Sequence, residues 1–282
     1  MFYKYHKATG TMTNKSVRGL SKVFFTKKIG HTGILDPLAS GLIVVATEYD
    51  TKLLEYINHK NKIYIATSQL NLSSDTLDID GDVTIHNFPK VTLEDLKRAI
   101  EIVTKRKTQI PPKYSSKKIN GQHAYDLVRQ GKEFELKPQN IEVIDYKLID
   151  FDYEKQEYKI MFNVSEGTYI RTLLYDISLE LNNTSVMTSL KRTGVGNVNL
   201  DDLDIEDYKQ IDFDLLFDIE SIYLTEEWSK KLFNGQSFKI SKEDKDVFFI
   251  KNTNNEVCCV GRIESNFFYP KKVFTERLLW KA

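Results

Sequence analysis

The sequence predicts an α+β fold, with a mixed, mainly antiparallel sheet, flanking helices and a small β-rich domain after it. Three observations support this class. Residues 62–72 and 157–164 are rich in β-branched and aromatic side chains, with apolar positions alternating in the second, as in strands. Residues 93–105 and 167–182 have the apolar spacing of helices. Strands and helices do not alternate regularly, so a doubly wound parallel sheet is not expected.

The N-terminal part is predicted to contain a helix, a turn, a strand and a second helical segment. Residues 15–26 place apolar side chains at helical spacing, residues 41–46 form an apolar strand-like run, and residues 51–57 are typical of a helix. The turn KKIGHTGILDPLASG, residues 27–41, lies between the first helix and the strand. After the strand at 62–72, a polar segment is predicted to be a loop.

The middle of the chain begins with a helix and continues into a proline-containing segment. Thr92 and Asp95 have the spacing of a capping box, which predicts that a helix starts at residue 93. QIPPKYSS, residues 109–116, must be extended or looped, because its two prolines remove backbone donors and fix φ. The basic segment 117–132 follows.

The later part of the chain carries further strand and helix signals before its character changes. Residues 141–151 are predicted to form a strand, and residues 185–193 a short helix. The acidic segment 201–220 then leads to a helical piece, EEWSKKLFNG, and to the strand-like runs VFFIKN, VCCVGRI and FYPKKVF. We therefore expect a second, small β-rich domain that begins near residue 222.

The formal net charge is zero, but the charges are distributed unevenly. Residues 1–60 contain nine Lys or Arg and four Asp or Glu, whereas residues 201–220 contain nine acidic residues and one lysine. A basic face is what a polyanion such as nucleic acid would meet. Charge alone leaves a solvated surface without a partner as an equal alternative.

The sequence contains no signal for a metal, a nucleotide cofactor or a membrane. Cys258 and Cys259 are adjacent and match no metal-ligand spacing, so both are interpreted as strand or core residues. Neither a GxxxxGK[ST] loop nor a GxGxxG fingerprint is present. The N-terminal residues lack the apolar run of a signal peptide, and no run of about 20 apolar residues occurs. We expect a cytoplasmic protein without cofactor, metal or membrane partner.

Asp36 in the glycine-containing turn allows two interpretations. An Asp-Pro pair commonly opens a helix, with the aspartate as the cap and Pro37 in the first turn. Three glycines nearby permit close approach of the backbone to a ligand, and the preceding cations include His31. The glycines and the preceding cations favour a catalytic carboxylate. Taken alone, however, the Asp-Pro turn is more typical of a helix cap.

Two further residues become functional candidates if Asp36 is catalytic. Arg171 lies in the first turn of a predicted helix, where the helix dipole disfavours a cation. It therefore needs a carboxylate, for which Asp36 is a candidate, or it bonds to local carbonyl groups. Tyr64 in the middle of a strand is usually a packing residue, but it could stack on a base or exchange a proton. Residues 117–132 mix cations with aromatic rings, which suits unpaired RNA bases or simply a solvated helix.

These residues belong to motifs that together resemble the TruB family of tRNA pseudouridine synthases. The motifs occur in collinear order within residues 7–196. They are GHTGILDPLASG, KIYIATSQL with SDTLDIDG, QIPPKYSSKKINGQHAYDLVRQG, SEGTYIRTLLYDI and SLKRTGVG. Such a series is far more specific than any one motif. The C-terminal region resembles the PUA-like domain of many bacterial members.

The resemblance implies a pseudouridine-synthase catalytic domain at 1–221, with a mobile RNA-clasping insertion at 109–135, and a PUA-like RNA-binding domain at 222–282. It also implies the activity of a monomeric enzyme that isomerises uridine 55 in the T-loop of tRNA to pseudouridine. The base would be flipped out, cut from C1′, turned and rejoined through C5, without cofactor or metal.

The resemblance also assigns roles to residues. Asp36 matches the catalytic aspartate, Arg171 its paired arginine, and Tyr64 the tyrosine that stacks on the target base and takes part in a late proton transfer. His31 matches the histidine that supports the flipped-out nucleotides. The remaining residues expected to bind RNA are Lys7, Lys118, Tyr125, Arg129 and Arg192.

Some positions depart from the family pattern. Ala8 stands where a proline is usual, Asn71 where a glycine is common, and Gln139 near the place of an arginine. No catalytic group is lost, so the departures bear on RNA contacts. The alternative function is a non-catalytic tRNA-binding or tRNA-folding chaperone, which would not need Asp36. A nucleoside hydrolase is disfavoured, because the acidic metal cluster that such enzymes generally need is not seen.

Overall fold

The computed structural model describes residues 1–201 and 203–279. The chain divides into two units, Met1–Leu216 and a second one from Phe217 onward. The sequence-based boundary near residue 222 lies a few residues later, and residues 280–282 of the predicted C-terminal domain are outside the described part.

The main sheet of the first unit has nine strands, β1–β4 and β11–β15, among the residues that the structure describes. In chain order the strands of this unit are β1 (Phe2–Lys7), β2 (Ile29–Thr32), β3 (Ser40–Thr47), β4 (Lys62–Leu70), β5 (Leu72–Ser73), β6 (Thr84–Ile85), β7 (Thr108–Gln109), β8 (Lys118–Ile119), β9 (Gln122–His123), β10 (Gln139–Asn140), β11 (Val143–Asp152), β12 (Glu157–Val164), β13 (Ser185–Val195), β14 (Val198–Asn199) and β15 (Tyr208–Gln210).

The sheet order is β11–β12–β4–β13–β3–β1–β15, with β14 beside β13 and β2 beside β3. Its neighbouring strands are antiparallel, except that β13 and β3 run parallel. This arrangement confirms the predicted mixed, mainly antiparallel sheet of an α+β fold. Three two-stranded sheets, β5–β6, β7–β10 and β8–β9, lie outside it.

Helices cover the sheet as the sequence predicts. Those of the first unit are α1 (Thr13–Val23), α2 (Leu93–Thr104), α3 (Ala124–Arg129), α4 (Ile170–Glu180) and α5 (Phe213–Leu216), with a 3-10 helix at Glu48–Tyr56. The apolar faces of α1, α2 and α4 share one buried core with β4 and β12. Thr92 Oγ1 accepts a hydrogen bond from the amide of Asp95 (3.2 Å), so the predicted cap of α2 is confirmed.

The prediction of a short helix at residues 185–193 is wrong, because this segment is the central strand β13. Register shifts interrupt its pairing with β4, one between Met187 and Ser189 and another between Arg192 and Gly194. Such bulges disturb the period-two alternation of side chains. As a result, the buried residues Val186, Met187 and Leu190 imitate helical spacing.

The second unit is β-rich, as predicted. Its elements are β16 (Ser221–Tyr223), α6 (Glu226–Phe233), β17 (Phe238–Lys239), β18 (Lys245–Lys251), β19 (Val257–Glu264), β20 (Phe267–Val273) and a 3-10 helix at Thr275–Arg277. The sheet order is β16–β18–β19–β20–β17. Cys258 and Cys259 lie buried in β19, and burial raises the pKa of Cys258 to about 11. Both thiols are therefore packing residues. Within the described residues, no helix is long and apolar enough to cross a membrane.

A glycine is required at position 41, where the backbone of β3 lies close to that of its parallel neighbour β13. Its φ is +115°, and a Cβ atom there would lie 2.2 Å from the backbone oxygen of Arg192. We predict that Gly41→Ala lowers the free energy of unfolding by more than about 3 kcal/mol, through backbone strain and steric overlap. Urea denaturation followed by circular dichroism measures this loss.

Gly10→Ala is the matched control, because Gly10 also has a positive φ (+76°) but a Cβ there meets nothing within 4 Å. Its cost should be only about 1 kcal/mol, from strain alone. Equal losses for the two variants would contradict the close approach of β3 and β13.

Candidate active site

A cavity of about 710 Å³ opens in the first unit, and the three predicted catalytic residues line it. Asp36 comes from the turn before β3, Tyr64 from a position near the start of β4, and Arg171 from the first turn of α4. The sheet and the turn thus bring together side chains that are far apart in the sequence. The insertion contributes further lining residues, which include Tyr125 and Arg129.

The turn carrying Asp36 does not open a helix, so the helix-cap interpretation is wrong. Residues 37–39 form a bend that continues into β3, and the amide of Ala39 bonds to the carbonyl of Asp36 (3.0 Å). On the N-terminal side, Thr13 and Leu35 exchange two hydrogen bonds of 2.9 Å. These bonds hold the carboxylate of Asp36 at a fixed place in the wall of the cavity.

The Lys7 side chain binds the backbone of the same turn. Its side chain is fully buried, and Nζ donates to the carbonyl oxygens of Ala8 (2.9 Å) and Ala39 (2.7 Å), with longer contacts of 3.4 Å to Asp36 and Pro37. Burial lowers the pKa of Lys7 to about 8, while the nearby Asp36 charge opposes that change. A lysine engaged in this way has no donor to offer to RNA. The expected RNA contact of Lys7 therefore disagrees with this geometry, in which the lysine binds the carbonyl oxygens of the Asp36 turn.

Arg171 binds Asp36 and the backbone of two other segments of the chain. Its side chain is 5% exposed, and Nε lies 3.0 Å from Asp36 Oδ2, which brings together the pair expected from the sequence. The guanidinium also donates from NH1 to the carbonyl oxygen of Thr76 (2.6 Å) and from NH2 to that of Tyr114 (2.8 Å). An arginine buried at this depth is stable only with such partners.

A second carboxylate, Asp78, was missed by the sequence reasoning. Asp78 Oδ2 lies 3.5 Å from Arg171 NH1, so the guanidinium has a second carboxylate beside it in addition to Asp36. Burial raises the pKa of Asp78, whereas a hydrogen bond from Thr76 Oγ1 (2.6 Å) and the Arg171 charge lower it. The segment SSDTLDIDGD was interpreted only as a loop. A signal was present, because Asp78 lies within SDTLDIDG, one of the motifs that carry the resemblance.

Tyr64 presents its ring to the cavity beside Asp36. The residue is 7% exposed and lies in a strand whose side chains alternate between buried and half-buried positions. Lys62 is two residues away and shares this face, and it also lines the cavity. The arrangement gives a flat aromatic surface on which a planar ligand can stack.

His31 lies in β2, next to a smaller cavity of about 210 Å³. Its Nε2 is 2.9 Å from Asn14 Oδ1. Burial, followed by the charge of Arg192, lowers the pKa of His31, and both favour the neutral ring. His31 is not among the residues that line the Asp36 cavity, but Gly33 and Lys62 line both cavities.

The insertion lines part of the cavity and carries three of the predicted RNA-binding residues, which are Lys118, Tyr125 and Arg129. Tyr125 stacks on the ring of His123, with 5.2 Å between centroids, and the Arg129 guanidinium lies 5.7 Å from the centre of the Tyr125 ring. Lys118 in β8 is exposed and does not line the cavity. The remaining predicted residue, Arg192, is fully buried in the cavity wall.

Hydrogen bonds hold the base of the insertion against the start of α4. Gln109 exchanges two bonds with the backbone of Tyr169 (2.9 and 3.0 Å), and Gln139 Nε2 donates to the carbonyl of Gly167 (2.7 Å). Gln139, one of the departures from the family pattern, therefore has a structural role. The Tyr114 side chain also forms a hydrogen bond with Asp75, in the loop between β5 and β6. This hydrogen bond raises the pKa of the Tyr114 hydroxyl group.

The other departures fit the backbone. Asn71 has a φ of +65°, a conformation that glycine adopts most readily and asparagine more readily than most other residues. Ala8 provides its carbonyl oxygen to Lys7 Nζ. Neither substitution removes a group from the cavity.

The sequence of this chain is similar to those of known proteins. The family model described as "TruB family pseudouridylate synthase (N terminal domain)" matches residues 21–170. The tRNA pseudouridine synthase B of Mesomycoplasma hyopneumoniae (strain 232) is 38% identical over 268 residues, which are 94% of this chain and 80% of that protein. The tRNA pseudouridine synthase B of Mycoplasmopsis pulmonis (strain UAB CTIP) is 34% identical and covers 99% of this chain and 96% of its own length.

Solved structures share the fold. A chain in the crystal structure of a Cbf5–Nop10–Gar1 complex superposes with a TM-score of 0.67 at 18% identity, covering 98% of this chain and 86% of that chain. A chain of the archaeal box H/ACA Nop10–Cbf5 complex gives a TM-score of 0.63 at 17% identity, with coverages of 99% and 88%. At this identity the likeness shows the fold alone, and it confirms the predicted fold class.

The support that Lys7 gives to the Asp36 turn leads to a prediction about stability. Lys7→Met keeps an unbranched apolar side chain but removes the donor closest to the buried carbonyl oxygens of Ala8 and Ala39. We expect the free energy of unfolding to fall by roughly 1–3 kcal/mol, the cost of a buried acceptor that loses its partner. Lys15→Met, at an exposed position of α1, is the control and should change stability little. Equal stability of the Lys7 variant and the native protein in urea denaturation would refute this role.

Proposed function

The chain belongs to the TruB family of pseudouridylate synthases, and we propose that it isomerises uridine 55 in the T-loop of tRNA to pseudouridine. The observation that carries this proposal is the Asp36–Arg171 pair beside the Tyr64 ring in one cavity. The 38% identical relative named tRNA pseudouridine synthase B supports tRNA as the substrate.

The reaction requires a flipped nucleotide, because C1′ of a uridine inside a folded loop cannot be reached by a side chain. Extruding the nucleotide costs a few kcal/mol of stacking and pairing. The cavity offers a replacement for the lost stacking, since the Tyr64 ring is nearly buried and Leu190 and Ile170 supply apolar walls. A volume of about 710 Å³ is within the range of small-ligand sites.

Asp36 supplies the reacting group. Its ion pair with Arg171 orients the carboxylate towards the cavity and provides a counter-charge. Two routes use the same carboxylate. In the first, Asp36 attacks C1′ and displaces uracil as its N1 anion, and C5 of the turned base then attacks C1′ and releases the carboxylate. In the second, Asp36 removes the 2′ proton as the N1–C1′ bond breaks to give a glycal, and the C5–C1′ bond forms as that proton returns to C2′. In both routes the proton of C5 is then lost and the freed N1 takes up a proton. Tyr64 is placed beside the base for that late proton transfer.

The basic and aromatic residues of the insertion provide the RNA contacts in this proposal. Lys118, Tyr125 and Arg129 bind the T-arm while the insertion covers the flipped nucleotide, and Lys15 and Arg18 of α1 extend the basic wall of the cavity. The second unit acts as a PUA-like RNA-binding domain, and the enzyme works as a monomer without a cofactor. In this scheme the charge of the substrate is met by a local basic surface despite the neutral total.

We predict that Asp36→Asn reduces turnover by at least roughly a thousandfold, because the amide is neither a nucleophile nor a base. The measurement is the release of tritium from tRNA labelled at C5 of uridine. Asp80→Asn, at an exposed position of the 73–82 loop, is the matched control and should retain native turnover.

The same assay separates the alternatives. Native protein that binds tRNA but releases no tritium would be a binding protein or folding chaperone rather than a synthase. An Asp36→Asn variant as active as the native protein would overturn the catalytic assignment within the family. If the native protein releases tritium from complete tRNA but not from tRNA that lacks uridine 55, the result would support uridine 55 as the modified position.

Asp78 provides a second prediction, because it holds Arg171 without reaching the substrate. Asp78→Asn keeps the shape but removes one of the two carboxylates beside the guanidinium. We expect turnover to fall roughly ten- to hundredfold, because the buried guanidinium loses one of its two carboxylate partners, while the tRNA dissociation constant stays unchanged. Filter binding and single-turnover tritium release measure the two quantities separately. A matching loss of affinity would show instead that Asp78 shapes the RNA-binding surface.

A further inference from the structure

One wall of the cavity contains two buried cations that do not belong to the Asp36–Arg171 network. Lys62 at the start of β4 and Arg192 in β13 are 8% and 0% exposed, and both line the cavity. They converge on Gly33, where a Cβ atom would lie 3.3 Å from both Arg192 NH1 and Lys62 Cε. The missing side chain leaves space between the two cationic groups.

The hydrogen-bonding capacity of Arg192 is only partly used. Nε donates to the carbonyl of Leu42 (2.7 Å) and NH2 to that of Gly33 (3.3 Å). NH1 is buried and has no hydrogen-bond partner among residues 1–201 and 203–279. A buried donor without an acceptor costs about 1–3 kcal/mol, and more when it is charged. The cost is recovered if a ligand supplies the acceptor.

Lys62 is also weakly paired. Its nearest carboxylate is Glu166, at 3.8 Å, which is beyond hydrogen-bonding distance, and the Glu166 side chain is 59% exposed. Burial and then the charge of Arg192 lower the pKa of Lys62 to about 8, with Lys60 adding to this and Glu166 opposing it. The charge of Arg192 also contributes to lowering the pKa of His31. The site therefore has an excess of positive potential and one replaceable acidic neighbour.

We propose that Lys62 and Arg192 form a phosphate subsite, which binds the backbone phosphate next to the flipped nucleotide. This inference rests on the proposed function and identifies where the enzyme binds the charge of its substrate. The phosphate replaces Glu166 beside Lys62 Nζ and provides the acceptor that Arg192 NH1 lacks. Guanidinium and ammonium groups together are the usual partners of phosphate oxygens.

The position of the subsite relative to Tyr64 fits one nucleotide. Lys62 and Tyr64 are two residues apart on one face of β4, which separates their Cα atoms by roughly 6.6 Å. Arg192 is the cross-strand partner of Tyr64 in the register of β4 and β13. A base stacked on Tyr64 therefore places its own 5′ or 3′ phosphate at the distance of the Lys62–Arg192 pair.

Neutral linkages in the RNA test the subsite without altering the protein. The probe is a synthetic T-arm hairpin with a methylphosphonate at the 5′ or the 3′ linkage of the target uridine. Native protein should bind one of the two roughly tenfold more weakly than the unmodified hairpin. A methylphosphonate in the lower stem is the control and should have a small effect. The linkage that matters identifies which phosphate is bound.

Lys62→Gln completes the test as a double-mutant cycle. The variant should bind the unmodified hairpin roughly tenfold more weakly, and the sensitive methylphosphonate should weaken its binding by clearly less than it weakens that of the native protein, because only the Arg192 contact is left to lose. The slope of log K against log salt should decrease in magnitude by about 0.7, as expected for one single-strand phosphate contact. Lys191→Gln is the matched control, because Lys191 is exposed on the opposite face of β13 beside Arg192.

Three results overturn the subsite, and they differ from failure of the proposed function. They are native binding unaffected by either neutral linkage, additive losses in the cycle, or an unchanged salt slope in Lys62→Gln. Each of these results refutes the phosphate subsite. Tritium release by the native enzyme would nevertheless still support the proposed function. A native protein that neither binds the hairpin nor releases tritium refutes the proposed function and the subsite together.

Discussion

The burial of the Arg171 guanidinium is the constraint on which the rest of the site depends. Moving an ion from water into a protein interior costs several kcal/mol unless charge and hydrogen bonds compensate. Here the compensation comes from Asp36, Asp78, Thr76 and Tyr114. These groups belong to the turn before β3, the 73–82 loop and the insertion. One side chain at the head of α4 therefore fixes three irregular segments around the cavity.

The insertion is linked to the same constraint. The Tyr114 carbonyl is a partner of Arg171, and Gln109 bonds to the backbone just before α4. The insertion therefore supplies one of the carbonyl oxygens that bind the arginine paired with Asp36, and its base is held against the start of the helix that carries this arginine.

Three other cations in this region differ in what they can do. Lys7 is surrounded by carbonyl oxygens of the Asp36 turn, which take up its hydrogen bonds. Arg192 donates from Nε and NH2 to carbonyl oxygens, whereas NH1 has no hydrogen-bond partner within the described part of the chain. Lys62 has Glu166 as a carboxylate neighbour at 3.8 Å. The hydrogen-bond state of each cation, rather than its charge, separates a structural role from a ligand-binding one.

The sequence by itself determined most of the local elements and the candidate reacting groups. Alternation in 157–164 and the Thr92 cap depend on neighbours in the chain, so pattern reasoning finds them. Collinear motifs identified Asp36, Tyr64 and Arg171 by resemblance. The tertiary structure decided the rest. It made residues 185–193 a bulged central strand and Asp36 a turn residue without a helix, and it brought Asp78 to Arg171 and buried Lys7. Each of these depends on contacts between segments far apart in the chain, and such contacts leave no periodic signal in the sequence.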